Sequence, residues 1–220
     1  MVTFEQIRQN EQVAALLETG NRSLGVMGFT EHGVAHVART AAVAGDILEK
    51  LGYDARTQEL ARIAGYLHDI GNAVNRVNHA QSGALLAYRL LEQAGMETAE
   101  TVAIVNAIGN HDDGMANAVS PLSAALILAD KSDVRRTRVR TTPDRPDFDI
   151  HDRVNYAVQD AALTVDAASK RITLSLTIDT ALCPVMDYFE IFLERMNLCR
   201  RSAEFLGTSF SLFINNTQML

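Results

Sequence analysis

Cysteine is scarce in this chain, and long apolar runs are missing. Two of its 220 residues are cysteines, Cys183 and Cys199, which is too few for a disulfide framework or a thiolate metal site. No apolar run approaches the roughly 18 residues that a membrane helix needs, and residues 1–10 lack the apolar core of a signal peptide. We therefore expect a cytoplasmic protein that has no membrane partner.

The chain also lacks an excess of positive charge. Its formal net charge is −7, and an acidic protein is a poor general binder of nucleic acid. Residues 131–145 depart from this balance, because basic residues outnumber acidic ones there. The basic residues of this stretch are Lys131, Arg135, Arg136, Arg138, Arg140 and Arg145. The stretch either grips a multiply charged substrate or forms an exposed linker.

Apolar periodicity predicts helices in the first part of the chain. Apolar residues that recur in steps of three and four indicate helices over residues 1–17, 34–51, 57–69, 79–94, 98–109 and 122–133. Gly20 and Gly25 are expected to end the first helical segment, and Thr30 is the expected N-cap of the second. The short connections between these helices are typical of a compact bundle.

The pattern changes after residue 142. Alternating apolar and polar residues predict strands over residues 156–165, 171–179 and 209–214, with a helix over residues 184–206. Pro143 and Pro146 mark a polar linker, and residues 168–170 are expected to turn a hairpin. The predicted fold class is therefore mostly α. We expect a helical domain over residues 1–142 and a β-β-α-β appendix over residues 143–220, whose small sheet is antiparallel.

Histidine and aspartate side chains occur at the ends and on the apolar faces of these helices. His68 and Asp69 end one helix before Gly71, while His36 lies within an apolar helix and Asp130 ends another. Such groups are costly to bury without partners, and side chains of separate helices can meet inside a bundle. A bound cation is a suitable partner, although each residue alone also fits a solvated helix end or a core histidine. Nitrogen and oxygen ligands without sulfur suit Mg, Mn, Fe, Co or Zn.

This arrangement resembles the HD-domain superfamily of metal-dependent phosphohydrolases. The order of His36, the His68-Asp69 pair and Asp130 on successive helices carries the resemblance. Its most specific part is Leu-His-Asp-Ile-Gly at residues 67–71, and Leu-Ala-Asp-Lys at residues 128–131 supports it. The resemblance covers residues 31–133. It implies an all-α domain with a divalent metal in the bundle interior, held by these four residues.

Some members of the superfamily hold a second metal through further histidines. His79 and His111 have similar positions here, and the resemblance then implies one or two ions, with Asp69 as the bridge between two. The alternative for both histidines is substrate contact or helix capping. The subgroup that cleaves cyclic dinucleotides has adjacent histidines in place of Asn110-His111 and a lysine in place of Asn72. These departures argue against a cyclic-dinucleotide substrate.

Charged residues near the expected ligands are candidates for contact with a substrate. Lys131 and Arg76 are expected to supply positive charge to a phosphate, and Asp112 is expected to carry a proton. Lys131, Asp112 and the ligand Asp69 are thus the expected catalytic residues. His32 lies four residues before His36, on the same predicted helix face, and either orients the substrate or lies at the pocket mouth. The alternative for each is a solvated surface residue.

The predicted function is hydrolysis of a phosphate ester or phosphoanhydride by metal-activated water. The expected partner is a small phosphorylated substrate, with a nucleotide as the first candidate, and a homodimer is one expected assembly. Three other functions fit the sequence less well. They are a non-catalytic signalling or binding module with the same fold, a di-iron oxygenase, and an RNA-binding regulator that uses the basic stretch.

Overall fold

A computed structural model describes residues 1–112, 116–141 and 148–220. Within these residues, seven α-helices form the first part of the chain, and a 3-10 turn over Ile70–Ala73 joins the fourth to the fifth. The seven helices are α1 (Phe4–Arg8), α2 (Glu11–Val26), α3 (Val34–Lys50), α4 (Ala55–Leu67), α5 (His79–Gln93), α6 (Thr98–Gly109) and α7 (Pro121–Lys131). The mostly α fold class predicted from the sequence is confirmed.

Helix α7 lies at the centre of this bundle. Its residues 122–129 are all buried, and it packs against α3, α4 and α6. The helix begins with a capping box in which the Ser120 side chain accepts from the backbone N–H of Ser123, and Pro121 occupies its first turn, where no N–H partner is needed. A helix that is apolar on all sides is suited to a core. Its C-terminal residues consequently end deep inside the molecule.

The last part of the chain forms a four-stranded sheet with two further helices. Their bounds are α8 (Ile150–Ala157), β1 (Val158–Asp166), β2 (Arg171–Ile178), α9 (Val185–Phe205), β3 (Ser209–Ile214) and β4 (Thr217–Gln218). The strands are ordered β1-β2-β3-β4, and alternate residues of β2 are buried. The hairpin between β1 and β2 turns at residues 167–170, as predicted. Helix α9 packs against α7 and so joins this part to the bundle.

The expectation of a wholly antiparallel sheet is wrong. Strands β1 and β2 pair antiparallel, whereas β2 and β3 pair parallel with Arg171 opposite Ser209. The reason is the connection between them. A crossover helix carries the chain back to the end of the sheet where β2 began, so β3 runs in the same direction as β2. The predicted helix over residues 184–206 is this crossover helix, α9.

Helix α8 was not predicted. It occupies residues that were assigned to the polar linker and to the start of the first strand, and it begins at Asp149, whose side chain accepts from the backbone N–H of Asp152. A helix of two turns has too few apolar positions for a helical period to be recognised in a polar sequence. The remainder of the predicted linker, with Pro143, Pro146 and the expected domain boundary at residue 142, lies outside the described residues.

Three predictions about the N-terminal region are also wrong. Residues 1–17 form two helices instead of one, and α2 continues through Gly20 and Gly25 to Val26. Gly20 serves close packing, because an added Cβ would lie 3.0 Å from the backbone nitrogen of Ala73. Helix α3 starts at Val34 with Gly33 as its N-cap instead of Thr30.

Among the described residues, no helix is long and apolar enough to span a membrane.

Candidate metal centre

Four side chains predicted as metal ligands converge at one buried point between α3, α4 and α7. His36 Nε2 lies 3.2 Å from Asp130 Oδ1 and 3.7 Å from Asp69 Oδ2. His68 Nε2 lies 3.5 Å from Asp69 Oδ2 and 3.7 Å from Asp130 Oδ1. Ligand bonds of about 2.0–2.2 Å to a metal place neighbouring donors roughly 3–3.6 Å apart. The four donors therefore have spacings that suit a single ion.

Backbone and side-chain acceptors fix the orientation of both imidazoles. His36 Nδ1 lies 2.7 Å from Asp133 Oδ2, and His68 Nδ1 lies 2.8 Å from the carbonyl oxygen of Gly65. An N–H on each Nδ1 leaves Nε2 with the lone pair that binds a metal. Both Nε2 atoms and Asp69 Oδ2 are buried and lack a hydrogen-bond partner of suitable geometry. Buried polar atoms without partners are costly, and a divalent cation would satisfy all three.

A second group of donors lies on the other side of Asp69. His79 Nε2 lies 3.5 Å from Asp69 Oδ1 and 3.3 Å from His111 Nε2. His111 is oriented by the carbonyl oxygen of Ile108, 2.6 Å from its Nδ1. Asp69 Oδ2 thus faces His36 and His68, whereas Asp69 Oδ1 faces His79 and accepts from Asn72 Nδ2. The two oxygens are therefore turned to different histidines, as in a bridging ligand.

The histidine rings form a continuous row through the centre. The ring centroids of His36 and His68 are 5.2 Å apart, those of His68 and His111 are 5.0 Å apart, and those of His79 and His111 are 5.1 Å apart. Among the described residues, two groups of three have ligand atoms within 4.8 Å of one another: His36 with His68 and Asp130, and His68 with Asp69 and His111. His68 is therefore close to both groups, whereas the sequence assigned it to the first ion alone.

Burial and local charge shift the pKa values of most of the candidate ligands in the direction that metal binding favours. Burial raises the pKa of Asp69, but the histidines around it, His68 foremost, outweigh this effect and hold its pKa well below the usual value. For Asp130, burial is likewise outweighed, first by the charge of Lys131. Burial lowers the pKa of His68 and of His111. For His36, burial acts in the same direction, but hydrogen bonds to neighbouring carboxylates outweigh it and raise the pKa. Apart from His36, these shifts favour the ionised carboxylates and neutral imidazoles that bind divalent ions.

Asp133 is a functional candidate that the sequence analysis did not single out. It is buried and accepts from His36 Nδ1, while the guanidinium Nε of Arg39 lies 3.2 Å from its Oδ1. A carboxylate that holds the far nitrogen of a ligand histidine fixes the ring and raises its basicity. One signal in the sequence points to it, since Asp133 follows Asp130 by three residues and so lies on the same side of the helix end.

A polar pocket opens above the second group of donors. Asp69, His79, His111 and Asp130 form its floor. Its other lining residues are His32, Arg76, Asp112, Lys131, Arg138 and Arg195. The Lys131 ammonium lies 2.9 Å from Asp130 Oδ2, and Arg76 lies 3.9 Å from Asp112. The structure thus brings all four residues predicted to contact substrate or carry a proton to this pocket.

His32 reaches the pocket from a loop and not from a helix. It precedes the start of α3, so the expectation that it shares a helix face with His36 is wrong. Its backbone N–H donates to Asn21 Oδ1, and its Nδ1 lies 2.8 Å from the carbonyl oxygen of Thr30. Burial, followed by the charge of Arg138, lowers the pKa of His32 well below its usual value. A neutral imidazole therefore lies at this edge of the pocket.

Side chains of the basic stretch after Asp130 form hydrogen bonds with the rest of the fold as far as residue 140. Arg136 Nε donates to the carbonyl oxygen of Tyr156, Arg138 Nε to that of Glu31 and Arg140 Nε to that of Phe29. Only 6% of Arg138 is exposed. These residues therefore do not form a free linker. Of the stretch, only Lys131 and Arg138 line the pocket. Arg145 lies outside the described residues.

Comparison with known proteins agrees with the resemblance seen in the sequence. Residues 33–137 match the family model of the HD domain, and this segment contains all six candidate ligands. The resemblance to the HD domain that the sequence predicted is therefore confirmed for this segment of the chain. The match ends before α8, the sheet and α9.

Two individual proteins are similar over part of their length. The uncharacterized protein MJ1020 of Methanocaldococcus jannaschii is 25% identical over 170 residues, which cover 67% of this chain and 65% of that protein. This chain thus spans slightly less than two thirds of that relative. A crystal structure described as a predicted HD superfamily hydrolase from an uncultured Thermotogales bacterium is 24% identical, with a TM-score of 0.44. That likeness covers 56% of this chain and 67% of the other.

Proposed function

We propose that this protein hydrolyses a phosphate ester or phosphoanhydride of a small molecule, with one or two divalent metal ions as cofactor. One observation carries the proposal: three buried donor atoms without partners, His36 Nε2, His68 Nε2 and Asp69 Oδ2, meet directly beside a pocket lined by basic side chains. A cation site next to an anion-binding pocket is the arrangement that phosphoryl transfer requires. A nucleotide is our first candidate substrate.

The ligand roles follow from the two groups of donors. We propose that His36, His68 and Asp130 hold one ion, that His79 and His111 hold the other, and that Asp69 bridges them. The four imidazoles favour Fe, Mn, Co or Zn over Mg, because Mg prefers oxygen ligands. A divalent ion bound here lowers the pKa of a bound water and withdraws charge from phosphoryl oxygens.

The remaining side chains bind and orient the phosphate and handle protons. Lys131 and Arg138 are held rigidly in the pocket wall, by Asp130 and by the carbonyl oxygen of Glu31, so their charges are fixed in place before the substrate arrives. Fixed charges stabilise a transition state without a cost of reorganisation. Asp112 lies 3.6 Å from His79 Nδ1 and is 31% exposed. We assign it the transfer of a proton between the leaving oxygen and solvent.

The proposal is tested by measuring phosphate release from a panel of phosphorylated compounds. Protein stripped of metal with a chelator is compared with protein reloaded with Mn, Fe, Co, Zn or Mg. We expect activity only after reloading, and a loss of at least about 100-fold in kcat for Lys131→Met, because a fixed charge at the transferring group is removed. Lys50→Met, an exposed change at the end of α3, is the matched control. Equal rates with and without metal would contradict the proposal.

The histidine-rich donor set also suits a di-iron oxygenase. The basic pocket favours a phosphate substrate instead, because an oxygenase has no general need for Lys131 and Arg138 beside the ions. Oxygen uptake by the iron-loaded protein, with no phosphate released from any compound in the panel, would favour the oxygenase.

A further inference from the structure

Arg195 belongs to the C-terminal part of the chain, yet it lines the pocket above the candidate metal centre. It lies on α9, beyond the segment that matches the HD domain. Because α9 packs against α7, the helix that carries Asp130, its side chains reach the same opening. The pocket is therefore completed by a residue that the HD domain does not supply.

The position of Arg195 is fixed by the packing of its own helix. Its guanidinium carbon lies 5.0 Å from the centre of the Phe192 ring, and Phe192 is only 2% exposed. Met196, the next residue on α9, is buried as well. A cation that stacks on an anchored ring loses less conformational freedom when it binds a ligand. Arg195 is thus presented to the pocket in a restricted position.

The lining of the pocket selects the kind of group that can enter. Every residue recorded along it is charged or a histidine, and four are cations: Arg76, Lys131, Arg138 and Arg195. The carboxylates Asp69 and Asp130 on the floor would be offset by bound divalent ions. An aromatic base or an acyl chain finds no apolar wall among these lining residues, whereas binding sites for such groups are mostly apolar. The lining instead suits a group with high negative charge and many acceptor oxygens.

We propose that Arg195 binds the terminal phosphate of a phosphomonoester, and that the C-terminal part of the chain thereby directs the enzyme towards monoesters over diesters. This inference rests on the proposed hydrolase function. A terminal phosphate carries a charge of about −1.5 to −2 near pH 7 and three free oxygens, whereas a diester has a single charge and a second organic substituent. Arginine forms paired hydrogen bonds with phosphate oxygens, and the organic part of a monoester would stay outside the pocket.

Phosphate binding to the full, metal-loaded chain tests the inference without requiring turnover. Inorganic phosphate is titrated by calorimetry into wild type, Arg195→Gln and Arg195→Lys, with metal content and melting temperature checked for each. We expect Arg195→Gln to raise the Kd of phosphate at least tenfold and Arg195→Lys to raise it less, because the charge is kept. The matched control is Arg201→Gln, which changes an exposed arginine six residues further along α9 and should bind phosphate as wild type does.

Two model esters then test the preference for monoesters. We expect Arg195→Gln to lower kcat/KM for p-nitrophenyl phosphate at least tenfold, mainly through KM, and to affect bis(p-nitrophenyl) phosphate several-fold less. Unchanged phosphate affinity in Arg195→Gln at full metal content would overturn the inference, and so would equal losses with the two esters. If Arg195→Gln does not fold, the comparison of Arg195→Lys with wild type decides, and identical phosphate affinity and ester preference would again overturn it. If wild type hydrolyses no ester, the hydrolase proposal fails, while the phosphate titration still shows whether Arg195 binds the anion.

Discussion

At the scale of single residues, the link between Asp133 and His36 is central to the account. Asp133 is fully buried as a side chain and accepts from His36 Nδ1 at 2.7 Å, while Arg39 and Arg135 pair with its oxygens. The carboxylate therefore joins a candidate metal ligand to a cluster of arginines. Its charge both orients the imidazole and balances the arginines around it.

Replacement of Asp133 by asparagine should weaken metal binding. We expect Asp133→Asn to lower the affinity for a divalent ion about 10- to 100-fold, since a neutral amide neither raises the basicity of His36 nor fixes its tautomer as a carboxylate does. Competition with a fluorescent chelator measures the affinity, and Asp46→Asn, an exposed change on α3, is the control. Equal affinity in the two variants would remove Asp133 from any role in holding the ligand.

The same aspartate should make the metal-free protein sensitive to acid. Burial raises the pKa of Asp133, but its bonds to His36 and Arg135 outweigh burial and hold the pKa well below the usual value. A lowered pKa in the folded state gives stability that is present above the ordinary pKa of about 3.9 and is lost as the pH falls below it. In urea unfolding, we expect Asp133→Asn to lose more than about 1 kcal/mol at pH 7 and to show a smaller decline below pH 4. A wild-type acid decline that Asp133→Asn leaves unchanged would contradict this.

At the scale of the elements, the sequence predicted those whose signals are local. Helices α5, α6 and α7 have long apolar periodicity and clear ends, and their predicted bounds differ from the observed ones by two residues or fewer. His36, the His68-Asp69 pair and Asp130 could be picked out because they interrupt apolar helices. Helix α8 is short and polar, and the parallel pairing of β2 with β3 depends on tertiary contacts. Arg195 could not be predicted, because only the packing of α9 on α7 brings it to the site.

The turn between α4 and α5 depends on Gly71. A Cβ added there would lie 2.0 Å from the carbonyl oxygen of His79 and 2.5 Å from the nitrogen of Gly83. We expect Gly71→Ala to push α5 away and so to lower the free energy of unfolding by at least about 2 kcal/mol. We also expect the variant to lose the metal ion that His79 would hold. Chemical unfolding and metal analysis measure both effects.

Gly109→Ala is the matched control for this change. An added Cβ at Gly109 would meet only Ala84 Cβ, at 3.8 Å, which is ordinary contact. Since alanine favours a helix over glycine by roughly 1 kcal/mol, this variant should be as stable as wild type or more so. Similar losses in both variants would show that close packing at Gly71 is not the cause.

At the scale of the whole molecule, the helical bundle that matches the HD domain and the C-terminal helix α9 line the same pocket. Helix α9 contacts α7 and carries Arg195, so we propose that the two parts function as one unit. The division into two domains at residue 142 stays a prediction. The expected homodimer also stays a prediction, which sedimentation would test.

Metal binding should stabilise the whole fold. The centre buries three donor atoms that lack partners. An ion that binds only the folded chain adds stability that grows with the logarithm of its free concentration relative to its Kd, about 2.7 kcal/mol at 100 times the Kd. We therefore expect the melting temperature of chelator-treated protein to rise by several degrees when a transition metal is added. His68→Ala should show little rise. A rise of the same size in both would place the stabilising ion elsewhere.

The most direct test of the central claim is the metal content of the purified protein. Elemental analysis is applied to wild type, Asp69→Ala and Asp46→Ala, prepared without chelators and incubated with Mn, Fe, Co or Zn before excess metal is removed. We predict one or two equivalents of metal in wild type and in Asp46→Ala, and a loss of at least one equivalent in Asp69→Ala, because Asp69 faces both groups of histidines. The same metal content in all three proteins would contradict the centre described here.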